Sequence, residues 1–382
     1  MDFFTIPFNR PCITGDEKKY IDEAVASGHL SGNGPMTARC RRFLETGMGY
    51  NNTLLTTSCT DALEMAAMLA GIGPGDEVIV PSYTFVSAAL AFARQGADIV
   101  FADSRPDNPC IDENAIAKLI TPATRAIVPV HYAGVACNMD VIMKLADEHD
   151  LRVIEDAAHA FGARYKGRLL GTIGHLGCFS FHETKIIHCG EGGMLSVNDG
   201  NYAARAEVIW EKGTNRCSFS RGEVSKYEWI DTGSSFLMSD INAAFLYPQL
   251  LAFREIYQRK KEQWDCYMRL LGKGEEEGRY RLPFVPDWAE PNYSGFYLLF
   301  STAVTRNGIR DFLNRRGIQA VTHYLDLAGS PYVRAGKTRS EQVPTENSIR
   351  YQDTLLRLPL FDSLTLSQVE NICREVNAFF EQ

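Results

Sequence analysis

This chain has no membrane-length apolar run. None of its hydrophobic stretches approaches the ~20 residues needed to cross a bilayer. Its first residues, Met1-Asp2-Phe3-Phe4-Thr5-Ile6-Pro7, show no basic segment followed by an apolar one, so no secretion signal is expected. Positive charge is also short: 39 Lys and Arg stand against 47 Asp and Glu, a formal net charge of −8. A broad nucleic-acid or membrane footprint needs a basic surface, so neither partner is expected. A local basic pocket for a small anion is still compatible with that total. Ten cysteines are scattered from Cys12 to Cys373 with no C-x-x-C pair, which suits neither a zinc site nor a dense disulfide framework. Low-complexity tracts and fixed-period repeats are missing as well. The expectation is a soluble cytoplasmic protein with reduced thiols and no metal site.

What is present is an ordinary globular composition, 45% apolar and 23% charged over 382 residues, long enough for about two domains. Short apolar strands are predicted at 53–57, 77–81, 98–102, 125–130, 152–156, 178–181 and 194–197. Helical spacing is predicted at 61–70, 113–120 and 140–149. Alternating strand and helix implies an α/β fold whose parallel sheet is covered on both faces, with ligands beyond the carboxyl ends of its strands. A long helix is predicted from 239 to about 271, capped by Ser239-Asp240. Beyond it, strands at 297–301 and 318–323 and helices at 307–316 and 366–380 read as a smaller α+β domain. The expected division is 1–250 and 251–382. The first thirty residues, with a helical pattern at 17–26, are free to pack on either unit.

Four stretches carry candidate chemistry. Thr57-Ser58-Cys59-Thr60-Asp61 ends a strand and opens a helix, where unpaired amides form an anion cradle or are simply capped. A helix N-terminus also lowers a thiol's pKa, which gives Cys59 a minor redox or nucleophilic alternative. Phe85 follows the strand at 77–81, where its ring either stacks on a flat ligand or belongs to the core. In Glu155-Asp156-Ala157-Ala158-His159 the carboxylate is either a helix cap or a partner that keeps a heterocyclic nitrogen protonated. His159 either covers the same ring or is a satisfied core histidine. Ser180-Phe181-His182-Glu183-Thr184-Lys185-Ile186-Ile187 delivers a lysine from a buried strand into apolar surroundings. Desolvation there would free its amine to attack a carbonyl; otherwise it is a snorkelling structural lysine.

Taken together, these stretches resemble the DegT/DnrJ/EryC1/StrS sugar aminotransferases, pyridoxal-phosphate enzymes of fold type I. The resemblance runs from Ile6-Pro7-Phe8-Asn9 to Leu358-Pro359-Leu360-Phe361. Within the family, Val128-Pro129-Val130-His131-Tyr132-Ala133-Gly134, Ser180–Lys185 and Glu211-Lys212-Gly213-Thr214-Asn215-Arg216 are similar to members that aminate dTDP-4-keto-6-deoxyglucose at carbon 4. The resemblance implies a large domain with a mixed, mostly parallel sheet and a smaller α+β domain. It implies that Lys185 binds pyridoxal 5′-phosphate covalently and that Asp156 pairs with the ring nitrogen. It places Phe85 and His159 against the ring, and Ser58, Cys59, Thr60 and Ser180 on the phosphate. It further implies an amino-acid donor, L-glutamate, a ping-pong scheme, and a homodimer with shared sites for cell-surface polysaccharide biosynthesis.

The chain departs from the family's pattern at several points. Ser235 stands where a partner's asparagine usually reaches the phosphate. Ile186 follows the lysine in place of Asn. His323-Tyr324-Leu325-Asp326-Leu327-Ala328 lacks the Pro and second His of a related motif, and the residues at 334–346 are polar and irregular. Lys212, Arg216, Arg221 and Lys226 are candidates for a nucleotide diphosphate, and His323 for the sugar; solvated surface charge is the alternative for the four cations. The same cofactor on another nucleotide keto-sugar is an alternative reading. A sugar dehydratase of the family would carry His in place of Lys185. A non-catalytic scaffold would have no need of Lys185, Asp156 and the cradle together. A dinucleotide oxidoreductase would need a G-x-G-x-x-G turn that is missing.

Overall fold

The computed structural model describes residues 4–336, 338 and 344–381. Its centre is a seven-stranded sheet: β1 Thr53–Thr56, β2 Glu77–Pro81, β3 Asp98–Ala102, β4 Thr124–Ile127, β5 Arg152–Asp156, β6 Leu176–Ser180 and β7 Gly193–Val197. The order across it is β1-β7-β6-β5-β4-β2-β3. These strands form because short β-branched and aromatic runs are bounded by Gly, Pro, Asn and Asp. Successive side chains enter opposite faces, as a pleated strand requires. Leu55, Ile79, Val100, Ile127, Val153 and Phe179 join one buried cluster. Leu54, Val78, Ile99, Ala126, Ile154 and Cys178 join the other. Each such side chain is worth roughly 1.5–3 kcal/mol on full burial.

The neighbours β3, β2, β4, β5 and β6 run parallel, while β7 is antiparallel to both β6 and β1. The sheet is therefore mixed, as the family resemblance implied, and not wholly parallel as strand–helix alternation alone implied. The reason lies in the loop 181–192, which contains no helix to carry the chain across a face, so β7 returns beside its predecessor. This loop carries Lys185.

The other strands share one direction, so their carboxyl ends and the start of β7 line a single rim. The helix Cys59–Leu69 leaves that rim beneath β1 and is buried along most of its circumference. Gly193 lets it come close: a Cβ there would sit 2.4 Å from the Ser58 carbonyl and 2.5 Å from the Cys59 amide nitrogen.

A smaller antiparallel pair, β8 Phe296–Leu299 and β9 Leu355–Leu358, organises a third cluster with the helices Phe253–Glu276, Ala303–Arg315 and Leu366–Phe379. Two elements differ from expectation. The single helix at 239–271 is two, Asp240–Leu251 and Phe253–Glu276, broken at Ala252. The first is buried in the large core and contains Pro248, whose missing N–H weakens the turn before the break. The second is amphipathic and turns its apolar face to the third cluster. The expected strand at 318–323 reduces to two bridges, Ile6 with Ile318 and Val321 with Arg357, because the two ends pair with different partners. Ile6 thus docks beside the small sheet, while the helix Glu17–Ser27 packs on Asp240–Leu251 through Tyr20 and Tyr247, 5.1 Å apart. Of the expected irregular segment at 334–346, residues 337 and 339–343 lie outside the described set. All ten cysteines are free and buried. Among the described residues no helix is long and apolar enough to cross a membrane.

Candidate active site

A cavity of about 520 Å³ opens at the rim of the sheet. Lys185, Asp156, Ser58, Cys59, Thr60, Phe85, His159, Ser180 and His323 all line it. These residues lie far apart in sequence, and the shared strand direction brings them together.

Lys185 reaches the cavity from the turn after β6, held by its own amide to the His182 carbonyl at 2.9 Å. Ile186 and Ile187 are buried in the first cluster, and Ile186 also touches the cavity. Surrounded by protein, the amine is pulled down by desolvation to about 8, with a further push from Arg357 and opposition from Asp156 and Cys59. No hydrogen bond or ion pair engages it among the described residues. A substantial neutral fraction near pH 8 suits attack on a carbonyl.

Asp156 ends β5, 5% exposed. Its Oδ1 accepts from the Ala158 amide at 3.1 Å. Burial raises its pKa, and the Ala158 N–H, Lys185 and His131 oppose that rise. A buried carboxylate with so few donors is costly unless a cationic or N–H group faces it. The next residue back, Glu155, points to the other side of the strand. It is satisfied by the amides of Gly171, Ile173 and Gly174 at 2.6–2.7 Å and by His131 Nε2 at 2.9 Å. Only Asp156 keeps capacity toward the cavity.

Ser58 caps the helix Cys59–Leu69, its Oγ accepting from the Asp61 amide at 3.1 Å. The amides of Cys59 and Thr60 occupy the first turn, where no intrahelical acceptor exists. Thr60 Oγ1 meets Ser87 Oγ at 2.7 Å, and Ser180 adds a hydroxyl from the end of β6. Amides, hydroxyls and helix dipole converge as a phosphate cradle requires. Cys59 belongs to it as a small buried side chain. Burial raises its thiol pKa well above the usual range, against the nucleophilic alternative.

Phe85 is 57% exposed, so it belongs to the cavity wall and not to the core. His159 is held neutral by desolvation and by the charges of Lys185 and Arg357. Its Nδ1 accepts from the Ala133 amide at 3.3 Å, which assigns the proton to Nε2, 3.2 Å from the Tyr324 hydroxyl. His323 Nδ1 lies 2.7 Å from the Tyr132 hydroxyl and its Nε2 3.2 Å from Arg357 Nη1.

The departure at Asp326 has a local role. Its carboxylate accepts from Ser82 Oγ at 2.5 Å, Thr345 Oγ1 at 2.9 Å and the Gly329 amide at 2.8 Å. This ties the His323-Tyr324 segment to the end of β2, a fastening the missing Pro and His do not provide.

Five sequence candidates lie elsewhere. Ser235 is exposed on the segment that bridges Glu211, just before Leu237 pairs with Thr56 of β1. Lys212 and Arg216 are exposed and both reach Glu211 Oε1, at 3.1 and 3.5 Å. Arg221 is paired with Glu207 and Glu223, and Lys226 is exposed. In the other direction, Phe8, Tyr132, Tyr324 and Arg357 line the cavity without having been singled out. Tyr132 follows β4 as Phe85 follows β2, a positional signal open to reading. Arg357 arrives through the small sheet, and Phe8 through the Ile6-Pro7-Phe8-Asn9 segment docked beside it.

The amine, the amide cradle and the under-satisfied carboxylate fit a flat phosphorylated aldehyde with a basic ring nitrogen, which is the chemistry of pyridoxal 5′-phosphate. The profile of the DegT/DnrJ/EryC1/StrS aminotransferase family matches residues 11–377. The chain is 31% identical over 378 residues to the spore coat polysaccharide biosynthesis protein SpsC of Bacillus subtilis, covering 97% of this chain and 96% of SpsC. The solved aminotransferase TlmJ of Streptoalloteichus hindustanus is 28% identical with a TM-score of 0.89 over 99% of both chains. A putative sugar aminotransferase of Streptococcus pneumoniae, Spr1654 in its pyridoxal-phosphate form, is 25% identical with a TM-score of 0.88 over 98% of this chain and 99% of that one. The rim geometry and the match along nearly its whole length place this chain in the DegT/DnrJ/EryC1/StrS family of pyridoxal-phosphate-dependent sugar aminotransferases.

Proposed function

We propose that the enzyme moves an amino group from L-glutamate to a nucleotide-linked 4-keto-6-deoxy sugar, dTDP-4-keto-6-deoxyglucose in the first instance, for a cell-surface polysaccharide. The observation that carries the reading is the Lys185 amine, without a hydrogen-bond or ion-pair partner among the described residues, facing the same cavity as Asp156 and the amide cradle. Pyridoxal phosphate supplies an electron sink for the carbon that gains or loses its amino group. In this reading Lys185 binds it and then, as a free amine, takes and returns the proton of that carbon. Asp156 keeps a proton on the ring nitrogen. Ser58, Cys59, Thr60 and Ser180 hold the phosphate, and Phe85 and His159 flank the ring.

The proposal also divides the chain near residue 250 into a cofactor-binding unit and a smaller C-terminal one, and has the protein work in the cytoplasm. It has two chains pair as a homodimer. Trp229, 82% exposed, with Ile230, Tyr227 and Phe219 forms an apolar stretch on the segment that carries Ser235, which supports such a contact. Ser235, Lys212 and Arg216 are assigned to the partner's site, where phosphate and diphosphate would meet them.

The test is an acceptor screen. The amine-loaded enzyme is mixed with dTDP- and UDP-linked 3-keto and 4-keto sugars, and return of the cofactor's original absorption band is followed. Fast return with the dTDP 4-keto sugar alone is the expected outcome; preference for a 3-keto sugar or for UDP would replace the substrate assignment.

A further inference from the structure

One stretch of the cavity wall has no main-chain support of its own. In Thr322-His323-Tyr324-Leu325 no backbone group bonds to another backbone group among the described residues. The stretch hangs between two anchors. On one side Val321 exchanges hydrogen bonds with Arg357 of β9, at 3.1 and 2.8 Å. On the other side is Asp326, which is buried.

Asp326 gathers separate parts of the chain. Its Oδ1 accepts from Ser82 Oγ, just past β2, and from Thr345 Oγ1, just before the helix Glu346–Thr354; its Oδ2 accepts from the Gly329 amide. Its own N–H donates to Gln352 Oε1 of that helix at 2.9 Å. Ser82 adds two contacts: its carbonyl accepts from the Leu327 amide and its Oγ from the Ala328 amide, both at 3.0 Å. Both oxygens of the buried carboxylate are therefore engaged, as burial of a charge demands.

What this latch holds in place is Tyr324. The centre of its ring lies 6.2 Å from that of Phe85 and 6.3 Å from that of His159, and its hydroxyl is 3.2 Å from His159 Nε2. Tyr324 thus links the two residues proposed above to flank the cofactor ring. Phe85 follows Ser82 closely in the chain, so one carboxylate governs both sides of the Phe85–Tyr324 contact. Phe85 and Leu325 are exposed, which puts this contact at the mouth of the cavity.

We propose that Asp326 is a positioning residue, which through Ser82 and Thr345 holds Tyr324 at the mouth and so sets the fit of the keto-sugar acceptor. This rests on the aminotransferase reading above and adds a residue that shapes the site for its second substrate. Size favours the acceptor over the donor: a nucleotide-linked sugar is several times larger than glutamate and must extend past Phe85 and Tyr324. The cofactor does not depend on the latch, because Lys185, Asp156 and the amide cradle are carried by the large sheet and the helix Cys59–Leu69.

The test uses the cofactor-loaded enzyme with Asp326→Ala, Asp326→Asn and Ser82→Ala, each made alone and together with Tyr324→Ala. Binding of dTDP-glucose, which has no ketone to react, is titrated by its perturbation of the cofactor band. The two half-reactions are followed against L-glutamate and against dTDP-4-keto-6-deoxyglucose. Asp326→Ala and Ser82→Ala should weaken dTDP-glucose binding and raise the KM for the keto-sugar roughly 10-fold, with the glutamate half-reaction within about twofold of wild type. Asp326→Asn should recover most of the loss, since an amide can still bridge two hydroxyls and the Gly329 N–H. In the Tyr324→Ala background none of the three should add a further loss, because the residue they position is gone. A purely structural Asp326 gives losses that multiply with Tyr324→Ala, or that fall equally on glutamate and sugar; either result overturns the proposal. Unchanged sugar binding in Ser82→Ala overturns it as well, and that variant removes one hydroxyl only, so it reports even where Asp326→Ala fails to fold. A wild type that reacts with glutamate but neither binds nor consumes the dTDP-sugars overturns the acceptor reading and this proposal together, whereas the variant results overturn this proposal alone.

Discussion

Two lysines of this protein, Lys185 and Lys260, are pulled by burial to about the same value, near 8, and sit in opposite surroundings. Lys260 sits in the helix Phe253–Glu276, 4% exposed, and donates to the Leu360 carbonyl at 2.8 Å. It fastens the helix to the chain that follows β9. Lys185 has no such partner and faces a cavity. A perturbed lysine is therefore not a catalytic one on that ground alone; desolvation with an empty space in front of the amine is the informative combination. The same contrast separates Glu155, closed off by three amides and a histidine, from Asp156, its neighbour on the strand.

The largest effect expected from this comparison is at the first lysine. Lys185→Ala should abolish the cofactor's covalent band and lower turnover by more than about 10⁴-fold. Lys260→Met should keep both the band and turnover within a few-fold, and show itself instead as a lower melting temperature, since the Leu360 carbonyl loses its donor at a cost of about 1–3 kcal/mol. Equal losses of activity at the two positions would erase the distinction.

Asp156→Asn should come next, with turnover reduced roughly 10²- to 10³-fold while the chain still folds, read by steady-state kinetics beside circular dichroism. Glu155→Gln should act mainly on stability, because its amide partners belong to the turn at 171–174.

The shared-site proposal predicts a two-chain particle by sedimentation. A strictly monomeric yet active enzyme would remove Ser235, Lys212 and Arg216 from the site. The pH dependence is a smaller effect. Cofactor capture needs the neutral Lys185 amine, so its rate should rise with pH toward about 8 and level off above it. For stability the sign follows from the depressed folded value. Between about 8 and the unfolded lysine's value of ~10.4 the unfolded chain binds more protons, so stability rises with pH across that window. Below about 8 both states are protonated and Lys185 contributes no slope. Lys185→Met should remove its share of that slope in the cofactor-free protein, measured as melting temperature against pH.

How much of this was legible in sequence depended on whether the signal was local. Strands β2, β3 and β5 were readable to the residue, because each is a short apolar run with polar or Pro/Gly punctuation. The places of Ser58, Cys59, Thr60, Asp156 and Lys185 beside one cavity were readable because each lies at or just after the end of a strand on the same rim. The break at Ala252 was not: helical periodicity continues through it, and what changes is which core the helix faces. The segment at 318–323 has strand-like composition but pairs with Ile6 on one side and Arg357 on the other, a distribution only the folded chain reveals. Arg357 was missed for the same reason. In Leu355-Leu356-Arg357-Leu358 it reads as the solvent-facing residue of a short strand, and only docking of the small sheet on the rim brings it to Lys185. The cations at 212–226 have partners that their local sequence does not signal: in the folded chain Lys212 and Arg216 meet Glu211, and Arg221 meets Glu207 and Glu223.

The central claim is that the partnerless Lys185 amine is the group that holds the cofactor and moves the proton. Its most direct test is the absorption spectrum of the purified protein supplied with pyridoxal phosphate, before and after L-glutamate. A visible-edge band that shifts on glutamate addition, and that is missing in Lys185→Ala, is the predicted result. A wild-type protein with no such band, or a Lys185→Ala protein that keeps it, would contradict the account.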